Sequence, residues 1–277
     1  MSLTTGAGPL AGSPGGEFNF DFARRSPQAE TSGRRYQDAP KHRIFYADFP
    51  RRLRAVVDGR VLFDTERAKL LYETGIKPVP YIPLEDYDQS LLTRSDHSTH
   101  CPFKGDASYY SVGERENAVW EYRDPNPEAA WLKGYAAPYW NKMDGWFVEE
   151  EPVYSYLRDP YHRVDVHESS RPVVVRANGR EIARTPRPKL LFETGLGTRV
   201  YVPRADIAAA ALARAEKRTV CPYKGEATYW TVDGIADAAW SYEAPLAEAA
   251  KVQGHVSFDA DGVEVELGPP SADVPRS

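Results

Sequence analysis

Two lysine-bearing loops and two glutamates carry the residue types for chemistry in this chain. Lys104 lies in Cys101-Pro102-Phe103-Lys104-Gly105-Asp106-Ala107-Ser108-Tyr109-Tyr110, and Lys224 in Cys221-Pro222-Tyr223-Lys224-Gly225-Glu226-Ala227-Thr228-Tyr229-Trp230. A lysine held in a turn by proline and glycine, with aromatic neighbours, is a natural receptor for a carboxylate or phosphate. An ion pair with Glu73 or Glu193 is the other use of the same charge. Those glutamates are lone carboxylates ending the apolar runs Leu70-Leu71-Tyr72-Glu73 and Leu190-Leu191-Phe192-Glu193. Each either faces inward, where it can serve as acid or base, or is exposed by strand alternation. Glu73, Lys104, Glu193 and Lys224 are therefore the catalytic candidates.

Cys101 and Cys221 invite a nucleophile reading, since a nearby lysine favours the thiolate. Burial as a small apolar side chain is the ordinary fate of a free cysteine. The aromatics Tyr81, Tyr109, Trp120 and Tyr122, and their counterparts Tyr201, Tyr229, Trp240 and Tyr242, fall in β-rich runs. Where such runs pair, alternation sends half of their side chains to one face. With Cys101, Lys104, Cys221 and Lys224 they make up the candidate ligand-binding set, with core packing as the alternative use of the rings. His97, His100 and Cys101 form a His-x-x-His-Cys cluster, but Lys217, Val220 and Cys221 stand in the second loop, so two of three ligands are missing there. No metal is assigned on that basis. The sequence has no Gly-x-Gly-x-x-Gly, Walker or Gly-x-Ser-x-Gly motif, so no cofactor is assigned either.

The elements that must position these residues are written twice. Setting Pro40–Tyr135 against Pro160–His255 without a gap gives roughly 35 identities in 96 positions, a duplicated domain and not a short solenoid repeat. Each copy opens with a hairpin signal, around Asp58-Gly59 and Asn178-Gly179, the dipeptides a type I′ turn requires. Ala205 to Lys217 is alanine-rich and predicts a helix, with Glu85 to Arg94 as its weaker counterpart. Ser108 to Val112 and Ala118 to Arg123 predict a second hairpin. Glu128-Ala129-Ala130 and Glu248-Ala249-Ala250 predict one helical turn after a proline. Asp144-Gly145 and Asp261-Gly262 predict a last hairpin. The fold class expected is mainly β, as a β-rich α+β protein of two tandem antiparallel domains, each with one helix. The domains expected are 40–150 and 151–270, the latter including the connecting segment, between a disordered tail at 1–39 and a short tail at 271–277. Tyr139, Trp140, Trp146 and Phe147 are expected at a domain junction, with Tyr154, Tyr156 and Tyr161 of the connecting segment.

Net charge is −5, which argues against general attraction to nucleic acid or an acidic membrane. No apolar run approaches the roughly 18 residues of a span, and the first thirty residues lack a secretory core, so a cytoplasmic protein is expected. The two cysteines occupy equivalent places in separate copies, which suits a reducing compartment. Oligomeric state stays open, and a monomer is compatible.

Leu-x-x-Glu-x-Gly, Tyr-x-Pro, Thr-x-Cys-Pro-[Phe/Tyr]-Lys-Gly-x-Ala-x-Tyr and Ala-x-Trp-x-Tyr, in that order, resemble the bacterial domain-of-unknown-function family numbered 427. The segment Asp159-Pro160-Tyr161-His162-Arg163-Val164-Asp165 is similar to its tandem members. The resemblance implies a compact fold of the β-tent kind. It also implies a nucleotidyltransferase-like label, although the Gly-Ser…Asp-x-Asp carboxylate signature of those enzymes is absent here. The expected function is binding of a small polar or anionic metabolite in a Lys/Glu/Tyr-lined pocket. A structural or protein-interaction module is the alternative, and a nucleotidyltransferase-like enzyme a further one.

Overall fold

The computed structural model describes residues 3–5, 44–73, 76–194 and 196–269. The chain forms two compact units, residues 1–161 and 162–277. In the first, Leu53–Val57 and Arg60–Thr65 pair across Asp58 and Gly59, both at positive φ (51° and 72°). In the second, Val173–Ala177 and Arg180–Thr185 pair across Asn178 and Gly179 (50° and 76°). These are the expected type I′ turns, whose left-handed residues follow the twist of the strands. Leu53, Ala55 and Val57 are buried while the residues between them are half-exposed, so the hairpin turns one face inward.

The larger sheet of the first unit has eight strands, in the order Leu3–Thr5, Ile44–Asp48, Lys69–Glu73, Ile76–Pro83, Tyr135–Pro138, Arg115–Tyr122, Gly105–Val112 and Leu92–Cys101. All pairs are antiparallel except that of Leu3–Thr5 with Ile44–Asp48. The second unit repeats it with seven strands: Val164–Glu168, Lys189–Glu193, Arg199–Pro203, His255–Phe258, Ile235–Tyr242, Gly225–Val232 and Leu212–Cys221. Register is repeated too, with Tyr109 opposite Trp120 and Tyr229 opposite Trp240.

Both faces of the first unit's large sheet are covered. One packs on the hairpin around Leu53, Leu62, Phe63, Ile82, Tyr110, Val112 and Val119. The other gathers Ile44, Leu71, Tyr81, Ala107, Tyr109, Tyr122 and Leu132. Sequence neighbours therefore divide between two cores, Tyr81 from Ile82 and Tyr109 from Tyr110, as a two-residue period requires. Each fully buried Leu, Ile or Phe side chain contributes about 1.5–3 kcal/mol.

Four expectations need correction. Ala205 to Lys217 is not a helix. Short 3₁₀ turns at Arg204–Asp206 and Ala209–Ala211 lead into the ten-residue strand Leu212–Cys221, paired from Leu212–Val232 to Cys221–Gly225. The first unit likewise has Leu84–Asp86, Gln89–Leu91 and the strand Leu92–Cys101. Alanine favours a helix by only tenths of a kcal/mol per residue, and a strand ladder along Gly225–Val232 outweighs it. The one longer helical element of each unit is instead a six-residue 3₁₀ segment, Pro127–Leu132 and Ala247–Val252, where a turn after proline was expected. Nor do Asp144-Gly145 and Asp261-Gly262 close hairpins. Gly145–Val148 and Val263–Leu267 pair with the distant strands Leu53–Val57 and Val173–Ala177, because the strands before them belong to the large sheets. Finally, Trp146 is buried in the first unit's own core, stacked on Trp140 at 4.3 Å, with Leu157, Val153 and Tyr161 packed on the same core. Apart from Leu3–Thr5, the two expected tails, 1–39 and 271–277, lie outside the described residues. Among the described residues no helix is long and apolar enough to cross a membrane.

The units differ in one polar network. In the first, Tyr110 donates to buried Glu121 at 2.5 Å, and Arg123 donates to Glu121 at 2.7 Å and to the Tyr110 hydroxyl at 2.9 Å. In the second, Trp230 donates to Ser241 at 2.8 Å and Ser241 to Glu243 at 2.6 Å. Arg204 donates to both Ser241 and Glu243, with its guanidinium 4.5 Å above the Trp230 ring.

The strand at Leu212–Cys221 is checked by Ala213→Thr. Ala213 is exposed and faces Thr231 in the ladder, so threonine is expected to leave stability unchanged or raise it by up to about 1 kcal/mol. A helix there would lose about 0.5 kcal/mol, and urea denaturation separates the two results.

Candidate functional site

Glu73 and Glu193 are the last residues of their strands, Lys69–Glu73 and Lys189–Glu193. Lys104 and Lys224 occupy the tight turns before Gly105–Val112 and Gly225–Val232. In the first turn the Lys104 amide donates to the Cys101 carbonyl at 3.2 Å, and the Lys104 carbonyl accepts from Asn126 at 3.0 Å. Gly105 has φ +101°, and a Cβ on it would lie 3.3 Å from the Asp124 carbonyl. Gly225 has φ +96° and the same close approach, 3.2 Å, to Ala244. Both the left-handed backbone and the crowding require glycine. This turn sends the lysine inward: Lys104 Nζ donates to Glu73 Oε2, with both side chains under 10 % exposed. Lys224 Nζ donates to Glu193 Oε2 in the same way.

Around each ion pair stand the phenols, indole and thiol singled out in the sequence. Trp120 Nε1 donates to the Tyr81 hydroxyl at 3.2 Å, and Trp240 Nε1 to Tyr201 at 3.2 Å. Tyr109 shares a hydrogen bond with Thr99 at 2.8 Å, and Tyr229 with Thr219 at 3.3 Å. Lys104 Nζ lies 5.9 Å from the centre of the Tyr122 ring. Burial pushes the Tyr81 and Tyr122 phenols well above the ordinary range, and the negative charge of Glu73 pushes the same way. Tyr201 and Tyr242 are raised by burial and by the charge of Glu193. These phenols are neutral hydrogen-bonding groups at physiological pH. Cys101, Cys221, Trp120, Trp240 and Tyr229 are half-buried, whereas Tyr81, Tyr122, Tyr201 and Tyr242 are buried. The structure thus brings Glu73, Tyr81, Cys101, Lys104, Tyr109, Trp120 and Tyr122 together. It does the same for Glu193, Tyr201, Cys221, Lys224, Tyr229, Trp240 and Tyr242.

One member was missed as a site residue. His162 Nε2 donates to Glu193 Oε1 over 2.9 Å, and its ring stacks on Tyr223 at 4.1 Å. The repeat carried the signal, because His42 stands at the matching place, outside the described residues. Burial alone would raise the Glu193 carboxyl, but hydrogen bonds from His162 and Lys224 outweigh it and hold the group below its ordinary value. A carboxylate held that way is ionised at neutral pH, opposite to what a general acid needs. The His-x-x-His-Cys cluster disperses: His97 packs on Tyr109 at 4.6 Å and His100 Nδ1 bonds Asp106 at 2.6 Å. Among the described residues no group of three or more His, Cys, Asp or Glu side chains is placed to hold a metal ion.

A depressed carboxyl contributes stability that is complete above its unfolded pKa, here about the ordinary 4.5, and is lost as pH falls through the lower folded value. Glu193→Gln should therefore flatten the loss of stability below pH 4.5. It should also cost about 3–5 kcal/mol at pH 7, because a buried ammonium is left uncompensated. Denaturant unfolding of wild type and variant between pH 7 and pH 3 measures both.

A family model described as a domain of unknown function (DUF427) matches residues 46–149 and again residues 165–268. A search of curated proteins finds no match. The two matches span most of the chain and coincide with its two β-rich units, so the chain belongs to the DUF427 family, as a tandem member.

Proposed function

We propose that each copy binds a small molecule carrying an acceptor oxygen, a carboxylate, phosphate or carbonyl, above the Lys–Glu pair. The observation that carries this reading is the hydrogen-bonding state of the two ammonium groups. An ammonium has three donors. Among the described residues Lys104 Nζ has one hydrogen-bond acceptor, Glu73, and Lys224 Nζ has one, Glu193. Buried donors left without partners are costly. They lie in both copies beside a half-buried indole and thiol, where an incoming oxygen would satisfy them. Trp120 and Trp240 would supply the walls, and Tyr109, Tyr229 and the adjacent threonines further polar contacts. The assignment is binding. A nucleotidyltransferase-like reaction would need paired carboxylates, whereas Glu73 and Glu193 each have a lysine as partner.

A second reading rests on one specific observation, the near-complete burial of the Lys104–Glu73 pair. A buried pair can serve the fold alone, locking the turn to its sheet. The two readings divide on a double variant. Glu73→Leu/Lys104→Met replaces the pair by apolar groups of similar size and is expected to fold, since such replacements are often neutral in stability.

Thermal shift of the full chain against small carboxylates, phosphate esters and amides supplies the test. A ligand at 100 times its Kd adds about 2.7 kcal/mol of stability. Binding to both copies predicts a rise in Tm that shrinks when Glu73→Leu/Lys104→Met or Glu193→Leu/Lys224→Met is introduced and vanishes with all four substitutions. No rise with any compound, alongside variants as stable as wild type, would leave the structural reading standing.

A further inference from the structure

The same polar cluster lies under two different rims. In the first unit the rim is aromatic; the Lys142 ammonium lies 5.2 Å from the Tyr139 ring centre but donates to the backbone carbonyls of Glu116 and Asn117. Tyr139 covers the Trp120 indole at 4.5 Å, and His97 covers the Tyr109 ring at 4.6 Å. Trp131 stands edge-on to Tyr81 at 6.5 Å and is stacked on Tyr46 at 4.1 Å. In the second unit the matching places hold Asp259, Lys217 and Lys251. The cover is now cationic: Lys217 Nζ lies 4.4 Å from the Tyr229 ring centre, and the Arg199 guanidinium 5.4 Å from that of Trp240. Arg199 replaces Val79, and Asp259, where Tyr139 would have stacked, accepts from Arg199 at 2.6 Å.

We infer that the two sites have divided by ligand charge, the second taking an organic anion and the first an uncharged planar molecule. This rests on the reading that each cluster binds a small molecule. Three physical points support the division. A cation over an indole or phenol face is held by the ring while its outward side stays open to a carboxylate. The carboxylate partners do not close that side. Arg199–Asp259 and Lys217–Asp237 (3.5 Å) are ion pairs whose four side chains are all more than a third exposed. Pairs of that kind are weak and exchange readily for a competing anion. In the first unit, by contrast, Lys142 is held by two backbone carbonyls, and an anion over Trp120 and Tyr139 would meet ring faces, whose quadrupoles repel negative charge, while a flat neutral ring stacks on them. The Lys–Glu pair beneath is nearly neutral as a whole, so the rim decides the sign.

Benzoate and benzamide form the discriminating pair of probes, alike in size and differing in charge. Two full-length variants isolate the sites: Glu73→Leu/Lys104→Met leaves the second intact, and Glu193→Leu/Lys224→Met leaves the first. Calorimetric titration at neutral pH and low salt is expected to show a preference of about tenfold for benzoate at the second site and for benzamide at the first. Adding Arg199→Gln and Lys217→Gln to the former variant should abolish its preference, and raising salt should weaken it. The same preference at both sites, or one that survives the loss of Arg199 and Lys217, overturns the division while leaving the binding reading intact. Failure of both probes to bind wild type overturns the division together with the reading beneath it.

Discussion

Burial of the large sheet on both faces is the constraint on which everything else depends. In a strand with one wet face, a register slip by one residue exposes apolar groups to water. Here it would exchange two cores of different chemistry. Ile82 and Tyr81 would trade places, as would Tyr110 and Tyr109, carrying phenols into the aliphatic layer and aliphatic groups into the polar cluster. The register is held at the Cys101–Gly105 and Cys221–Gly225 pairs, beside turns that only glycine can complete. The motif loop is thus first a device for setting alignment, and its lysine is placed as a result.

The Lys–Glu pairs draw their meaning from that setting. Exposed ion pairs such as Arg184–Glu181, between side chains open to water, contribute little. Lys104 and Glu73 lie 31 residues apart in sequence and meet in a nearly dry site. There the loss of either charge is costly and their mutual attraction is strong. The surrounding phenols stay protonated because burial disfavours phenolate, so the cluster as a whole is close to neutral and rich in donors. In the second unit His162 adds a second contact to the carboxylate, and Glu193 is fixed on both oxygens.

Local features that act through the backbone were the most legible in the sequence. Asp58-Gly59 and Asn178-Gly179 specify their turns by steric permission alone, and the structure has both. The repeat made one unit's reading a check on the other's, and residues written in both copies, from Glu73 to Tyr122 and from Glu193 to Tyr242, do converge. What sequence alone misjudged was decided by partners far along the chain. Ala205 to Lys217 has helical composition, yet Leu212–Cys221 finds its hydrogen bonds along Gly225–Val232. Trp146 looked like interface material because aromatic residues surround it, but Leu53–Val57, some ninety residues earlier, draws its strand into the first core. His162 falls within the repeat, but nothing local says that it meets Glu193. Rim residues such as Arg199 were invisible for the same reason, since the two copies differ there and shared spelling was the guide.

The network at Glu121 has a consequence for how such a duplicated chain changes over time. Both copies set a carboxylate against a guanidinium at this corner, but the charges have moved: buried Glu121 with Arg123 in one, exposed Glu243 with Arg204 in the other. No single substitution converts one arrangement into the other. Glu121→Ser alone strands Arg123 and removes the acceptor of Tyr110, and Arg123→Glu alone sets two carboxylates side by side. Each of these two intermediates loses a partner that both ends keep. Unequal crossing-over between the two copies within this corner would therefore part Glu243 from the arginine that meets it.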